Sequence, residues 1–314
     1  MPFYCYKYFL MQKLIILLVI ASFFGCSSIK ALNDKDDKFP KKVASLPSPI
    51  ILTSNTPQAI SPGEIKFIKL PLPSANTHVE KIQCKNRQIP FVITTDKLLK
   101  FFLAESYFSE LTPFDCKLFY AAGGQQYIDT IFQFSIIKRD YKNEFINVAQ
   151  DKVTLSDEDL RQVIAERERL KAVYTNSSST PLFAGKFHLP LTSKITSTYG
   201  NKRTFNNNKS TQHLGIDFRA PVGTPIPATN AGKVVFAGDL FFSGKSVIID
   251  HGLNLFTLYG HLSKILVTEG NIIGANTLIG HAGRTGRVSG PHLHWGVRVH
   301  DEWVDGQSLV NLEI

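Results

Sequence analysis

Only one stretch of this chain keeps a helical period. In "LSDEDLRQVIAERERLKAVY", residues 155–174, Leu160, Val163, Ile164, Arg167 and Leu170 fall at helical spacing, and Ser156 is followed three residues on by Asp159, as at a capped helix start. Almost everything else of informative length reads as short alternating runs broken by Gly, Pro, Asn and Asp. "EIKFIKLPL", "RQIPFVITT", "CKLFYAA" and "TIFQFSIIKRD" lie between 46 and 150, and the strand-rich, Gly-punctuated pattern resumes from Phe183 to the end. A side chain that alternates with period two belongs to a half-buried strand, so the expected fold is mainly β. We expect a β-sandwich-like accessory domain over 46–150, a linking helix and loop over 151–182, and a C-terminal antiparallel β-sheet domain over 183–314. The helix should lay its apolar stripe, interrupted by Arg167, against a neighbour.

The N-terminus reads as a targeting segment. "MQKLIILLVIASFFGCSS" places a lysine before an apolar run that ends at Phe24, with Gly25 and Cys26 after it. That run is short for a membrane span, which needs about 20 residues, and has the order of a secretory signal. Residues 1–26 are therefore expected to be a signal peptide. Gly25-Cys26 resembles a bacterial lipoprotein signal with Cys26 as the lipidated residue; an ordinary cleaved signal and an uncleaved anchor remain open. Ser27 after the cysteine favours the outer membrane over the inner. Residues 27–45, "SSIKALNDKDDKFPKKVAS", are charged, lack an apolar period and read as a flexible tether. In an oxidising compartment Cys84 and Cys116, the pair left in the exported body, form either a disulfide or two buried thiols.

With 314 residues and 43% apolar side chains the chain can bury sizeable cores, and its net charge of +9 suits an anionic partner. Lys and Arg are scattered and no nucleic-acid motif is present, which removes nucleic acid from the expected partners. A lipid surface or an acidic wall polymer remains.

Six of the nine histidines lie between His213 and His294. In "QHLGIDF", period two would put His213, Gly215 and Asp217 on one face of a strand, the glycine leaving room between them. In "GPHLHW" it puts His292 and His294 on one face and Leu293, Trp295 and Val297 on the apolar other, where Trp295 reads as core more readily than as a stacking platform. His261, in "LYGHLS", is a fifth candidate. Two histidines and an aspartate suit catalytic zinc, which takes three protein ligands and keeps a position for water. Structural zinc would be closed by four ligands and often rich in cysteine. No HExxH motif supplies a glutamate base, so a histidine has to serve. His251, in "IIDHGLN", is expected in a turn, and His78, His188, His281 and His300 as structural or exposed residues.

Together "TSTYGNKR", "HLGIDFRAPVGTPIPATNAGKVVFAG" and "VIIDHGLNLFTLYGHLSKILVTEGNIIGANTLIGHAGRTGRVSGPHLHWGVRV" resemble the lysostaphin-type, or LytM-like, zinc endopeptidases that cut peptidoglycan peptides, over residues 183 to 305. The resemblance implies one Zn²⁺ per chain held by His213, Asp217 and His294, with His261 and His292 as the catalytic pair. It also implies a peptidoglycan substrate; with the N-terminal signal and Cys26, the expected place is the cell envelope, periplasmic and membrane-anchored as a lipoprotein, and a protein activator stays open as a further partner. The alternative is a wall-binding or regulatory module that acts through protein contacts.

Overall fold

The computed structural model describes residues 57–146, 155–205 and 209–314. The expected signal peptide with Cys26 and the tether at 27–45 lie outside the described residues. Among the described residues no helix is long and apolar enough to cross a membrane.

The fold is mainly β, as the alternation requires. The N-terminal strands are β1 (Gln58–Ile60), β2 (Ile65–Pro71), β3 (His78–Cys84), β4 (Arg87–Ile89), β5 (Val92–Ile93), β6 (Leu98–Ala104), β7 (Phe114–Ala122) and β8 (Gln125–Ile136). They form a five-stranded sheet, β1-β8-β7-β3-β4, and a three-stranded sheet, β2-β6-β5. Ile82, Leu118 and Phe134 of the first meet Ile68, Leu99 and Phe101 of the second in one core. Cys84 and Cys116 face each other on paired positions of β3 and β7 and are joined as a disulfide.

The run "FFLA" in β6 has no polar alternation, which is the mark of a strand covered on both faces. Leu99, Phe101 and Leu103 enter the sandwich core, while Phe102 and Ala104 enter the core of the C-terminal sheet. The small sheet is thus a shared middle layer. Polar contacts fasten the same junction: Arg87 pairs with Glu302 at 2.7 Å, Arg139 with Asp305 at 2.6 Å, and a ring nitrogen of His300 meets the Phe102 carbonyl at 3.0 Å.

Beyond the sandwich come β9 (Asn143–Ile146) and α1 (Asp157–Thr175). Ser156 and Asp159 close a reciprocal capping box at the start of α1, and three acidic residues occupy its first turn, where the helix dipole favours them. The expected apolar stripe is not buried along its length: Leu160 is 41% exposed and Ile164 48%. The helix is held by its second half. Tyr174 packs edge-on against Phe256 and Trp303, and the Glu166 carboxylate accepts the Phe241 N–H at 2.8 Å.

The C-terminal part contains β10 (Ile195–Ser197), β11 (Lys202–Phe205), β12 (Lys209–Gln212), β13 (Ile216–Arg219), β14 (Pro225–Pro227), β15 (Gly232–Leu240), β16 (Gly244–Asp250), β17 (Leu255–Ile265), β18 (Ile272–Ile273), β19 (Leu278–Ala282), β20 (His292–Val299), β21 (Glu302–Val304) and the short α2 (Gly306–Val310). Its main sheet runs β10-β13-β20-β17-β16-β15-β18, with β19 on β17 and β14, and β21 on β20. Leu293, Trp295, Val297 and Val299 of β20 are buried with Phe218 and Tyr259 in its core. β9 pairs in parallel with β11, and β12 completes that small sheet as a hairpin.

Two buried histidines make the fold acid-sensitive. His251, expected in a turn, closes β16 with its ring between the Ala231 carbonyl (2.7 Å) and Thr257 Oγ1 (2.8 Å). Burial pushes both His251 and His300 down to about 4. Their folded pKa lies below the unfolded value of about 6.5, so between these limits the unfolded chain binds protons that the folded chain refuses. Stability is complete above that upper limit and falls as pH drops toward 4, by up to about 3 kcal/mol for each residue. Urea midpoints measured from neutral pH downward are expected to fall through this window, and to fall less in His300→Gln.

Candidate metal centre

β20 lies in the middle of the site. In register, Asp217 of β13 stands opposite His294 on one side, and Gly260 of β17 stands opposite it on the other. His292 pairs with Arg219, two residues along the same face. The strand alternation expected for "GPHLHW" therefore places His292 and His294 together over the buried Leu293 and Trp295.

His213 arrives by a different route from the one its spacing suggests. β13 begins only at Ile216, and His213 precedes it in the bend that follows β12, so His213 and Asp217 do not share a strand face. The bend brings them together nonetheless: His213 Nε2 lies 3.0 Å from Asp217 Oδ1 and 3.2 Å from His294 Nδ1. His294 Nδ1 is 2.9 Å from the same carboxylate oxygen. Gly215 is needed here, but not as an open space for a ligand. A Cβ at that position would stand 2.5 Å from Cε1 of His294 and 2.8 Å from the Trp295 carbonyl oxygen, so the glycine admits the His294 ring itself.

Behind the three donor groups is a polar shell. His213 Nδ1 donates to the Thr198 carbonyl at 3.0 Å, with Ser197 Oγ also at 3.0 Å, which leaves the Nε2 lone pair directed at the centre. Arg203 Nη2 donates to Asp217 Oδ2, leaving Oδ1 to face the histidines. Burial alone would raise the Asp217 carboxyl, but the His213 and His294 rings packed against it outweigh that and hold the group well below the carboxylate range. Burial lowers His213, against the pull of Asp217.

His261 and His292 flank this cluster, their ring centroids 4.7 Å apart. His261 sits at φ +62°, uncommon for a residue with a side chain. Its N–H is held by the Ser243 carbonyl at 2.6 Å, and its Nδ1 donates to the Thr285 carbonyl at 2.8 Å. His292 Nδ1 donates likewise to the Gly290 carbonyl at 2.9 Å. In both rings the tethered nitrogen leaves Nε2 as the free lone pair. Burial, then the neighbouring His294 and His292, push His261 down to about 3. His292 Nε2 is 3.7 Å from Asp217 Oδ1, too far for a hydrogen bond.

All five histidine and aspartate candidates are thus brought to one place. His213, Asp217 and His294 offer ligand atoms within 4.8 Å of one another. Two imidazole nitrogens and a carboxylate oxygen, with the rear atoms of His213 and Asp217 fixed by hydrogen bonds, fit the donor set of a catalytic zinc site with a position left open. The sequence reading did not assign Glu144, Ser197, Arg203 or Thr285 to the site. "GNKR" contains Arg203, but its position beside Asp217 depends on the β11–β12 hairpin.

Residues 211–306 match the model of peptidase family M23. The chain is 46% identical over 83 residues to the peptidoglycan DD-endopeptidase ShyA of Vibrio cholerae, covering 26% of this chain and 19% of that protein. It is 42% identical over 97 residues to the DD-carboxypeptidase/endopeptidase Mpg of Neisseria meningitidis, 31% and 22% of the two chains. With a protein of Buchnera aphidicola described as an uncharacterized metalloprotease it shares 36% identity over 138 residues, 43% and 36%. The chain spans about a third or less of the length of these relatives. Among solved structures, a Pseudomonas aeruginosa protein described as an M23 peptidase superposes with a TM-score of 0.59 at 26% identity, over 82% of this chain and 96% of that one. That superposition reaches well outside the residues matched by the family model, into the N-terminal strands. Residues 211–306, the greater part of the C-terminal sheet, are thus a peptidase family M23 domain.

Proposed function

We propose that this protein is a zinc-dependent endopeptidase that hydrolyses peptide stems or cross-links of bacterial peptidoglycan. The observation that carries the proposal is the convergence of His213 Nε2, Asp217 Oδ1 and His294 Nδ1 beside two further histidines with free Nε2 atoms. The relatives described as peptidoglycan DD-endopeptidases support the substrate class. On this reading residues 183–314 are the peptidase domain and 46–150 an accessory domain.

His213, Asp217 and His294 would hold the ion. When bound there, zinc supplies a Lewis acid that polarises a carbonyl and acidifies water. The protein supplies the rest. His261, pinned through Nδ1 to the Thr285 carbonyl, presents a free Nε2 that would take a proton. His292, pinned in the same way, would steady charge developing on the carbonyl oxygen. The complete set of five residues favours catalysis over a purely regulatory module. A net charge of +9 favours a carboxylate-bearing wall. The disulfide between Cys84 and Cys116 fits an oxidising compartment. A place in the cell envelope, anchorage through Cys26 and control by an activator protein complete the proposal.

The test is digestion of purified peptidoglycan by the full chain, with muropeptides followed by mass spectrometry. Cross-linked species are expected to disappear, to persist when a chelator is present, and to disappear again when zinc is restored. Unchanged muropeptides with zinc-loaded protein would overturn the proposal.

A further inference from the structure

Glu144 precedes the family-matched residues 211–306, yet its carboxylate is the hub of the polar shell behind the metal ligands. The parallel pairing of β9 with β11 sets Glu144 beside Arg203. One carboxylate oxygen accepts from Asn201 Nδ2 at 2.6 Å and from Ser197 Oγ at 2.9 Å, and the other accepts from Arg203 Nε at 3.3 Å. Arg203 Nη2 in turn donates to Ser197 Oγ at 3.0 Å and to Asp217 Oδ2.

The direction of these bonds is fixed by what each group can do. A carboxylate only accepts, and a serine hydroxyl has one proton. Ser197 gives that proton to Glu144, so its lone pairs receive Arg203 and a share of the Nδ1–H of His213, which also points at the Thr198 carbonyl. With Nδ1 protonated, His213 must present the lone pair of Nε2 to the centre. On the other branch, Glu144 holds the Nε side of the Arg203 guanidinium, so that Nη2 reaches Asp217 Oδ2 and leaves Oδ1 to face the histidines. Glu144 also balances the charge of Arg203, which would otherwise oppose a dication a few ångströms away.

We infer that Glu144 is a positioning residue for the metal centre, a carboxylate supplied by the strand ahead of the peptidase sheet that orients two of the three ligands. The inference rests on the proposed zinc site. One consequence is that the family-matched segment alone lacks a part of its own metal site.

The experiment compares the full chain with Glu144→Ala and Glu144→Gln, and with Asp140→Ala as a control at a highly exposed position on the same segment. Zinc affinity is read by competition with a chromophoric chelator, and ligand geometry by the visible spectrum of the cobalt-loaded proteins. Outer hydrogen-bond partners of metal ligands are worth about 10- to 100-fold in affinity, and Glu144→Ala is expected to lose that much and to shift the cobalt bands. Glu144→Gln, which keeps the side chain's volume and one accepting oxygen, is expected to lose less; Asp140→Ala should match the wild type. Because β9 pairs through its backbone, both substitutions leave the ladder in place, and if Glu144→Ala melts early, the Gln variant decides. Zinc affinity within about threefold of wild type in both variants, well short of the range set by outer partners, with unshifted cobalt bands, would overturn the inference alone. A wild-type chain that binds no zinc would overturn it together with the proposed function.

Discussion

His261→Asn is expected to lower turnover of cross-linked peptidoglycan by roughly 100- to 10,000-fold, the range lost with a positioned proton-transfer group, and to leave the zinc content unchanged. The choice of asparagine follows from the backbone. His261 sits at φ +62°, where asparagine is tolerated and alanine would add strain of its own. The ring is not one of the three grouped donors: it meets His294 edge-on, centroid to centroid 5.9 Å, and its Nδ1 is committed to the Thr285 carbonyl. A loss of rate with zinc retained would therefore report on the chemistry and not on metal binding. Comparable turnover by the variant would remove His261 from the proposed mechanism. Single-turnover digestion with parallel metal analysis makes the distinction.

Gly215→Ala is expected to empty the site without touching any proposed ligand. The added methyl meets a ring atom of His294 and the backbone oxygen of Trp295, both far inside normal contact distance. Neither is the loose end of a flexible chain: the ring is tied to Asp217, and the carbonyl belongs to the central strand. Overpacking of this kind costs about 1–3 kcal/mol, and displacement of His294 removes one donor of three. Metal analysis should find little zinc in a chain that still folds, with a lowered melting temperature. Full zinc occupancy in the variant would mean that His294 is not held where the Gly215 contact places it.

Much of the site could be read from the sequence because its central strand is local. Period two in "GPHLHW" is enough to separate His292 and His294 from the buried Leu293, Trp295 and Val297. The grouping of His213 with Asp217 named residues that do meet, but through a bend ahead of β13 and not through strand alternation. The spacing of four is compatible with both arrangements, and only the hairpin β11–β12 selects between them.

What escaped the sequence is non-local. Glu144 reaches the centre through a parallel pairing with a strand almost sixty residues away, and nothing in "KNEFI" distinguishes its glutamate from an exposed one. The same holds for the middle layer: "FFLA" signals burial on both faces, but not that the second partner is the C-terminal sheet. In α1, spacing alone suggested an apolar face where Leu160 and Ile164 lie largely open, because the helix is fastened by Glu166 and Tyr174 in its second half.

The central claim is that three side chains, one from a bend and two from neighbouring strands, hold a single catalytic ion. Its most direct test is the metal content of the full chain and of His294→Ala, both purified after growth with zinc and measured by inductively coupled plasma mass spectrometry. The account predicts one zinc per wild-type chain and almost none in the variant. A zinc-free wild type, or the same zinc content in both, would contradict it.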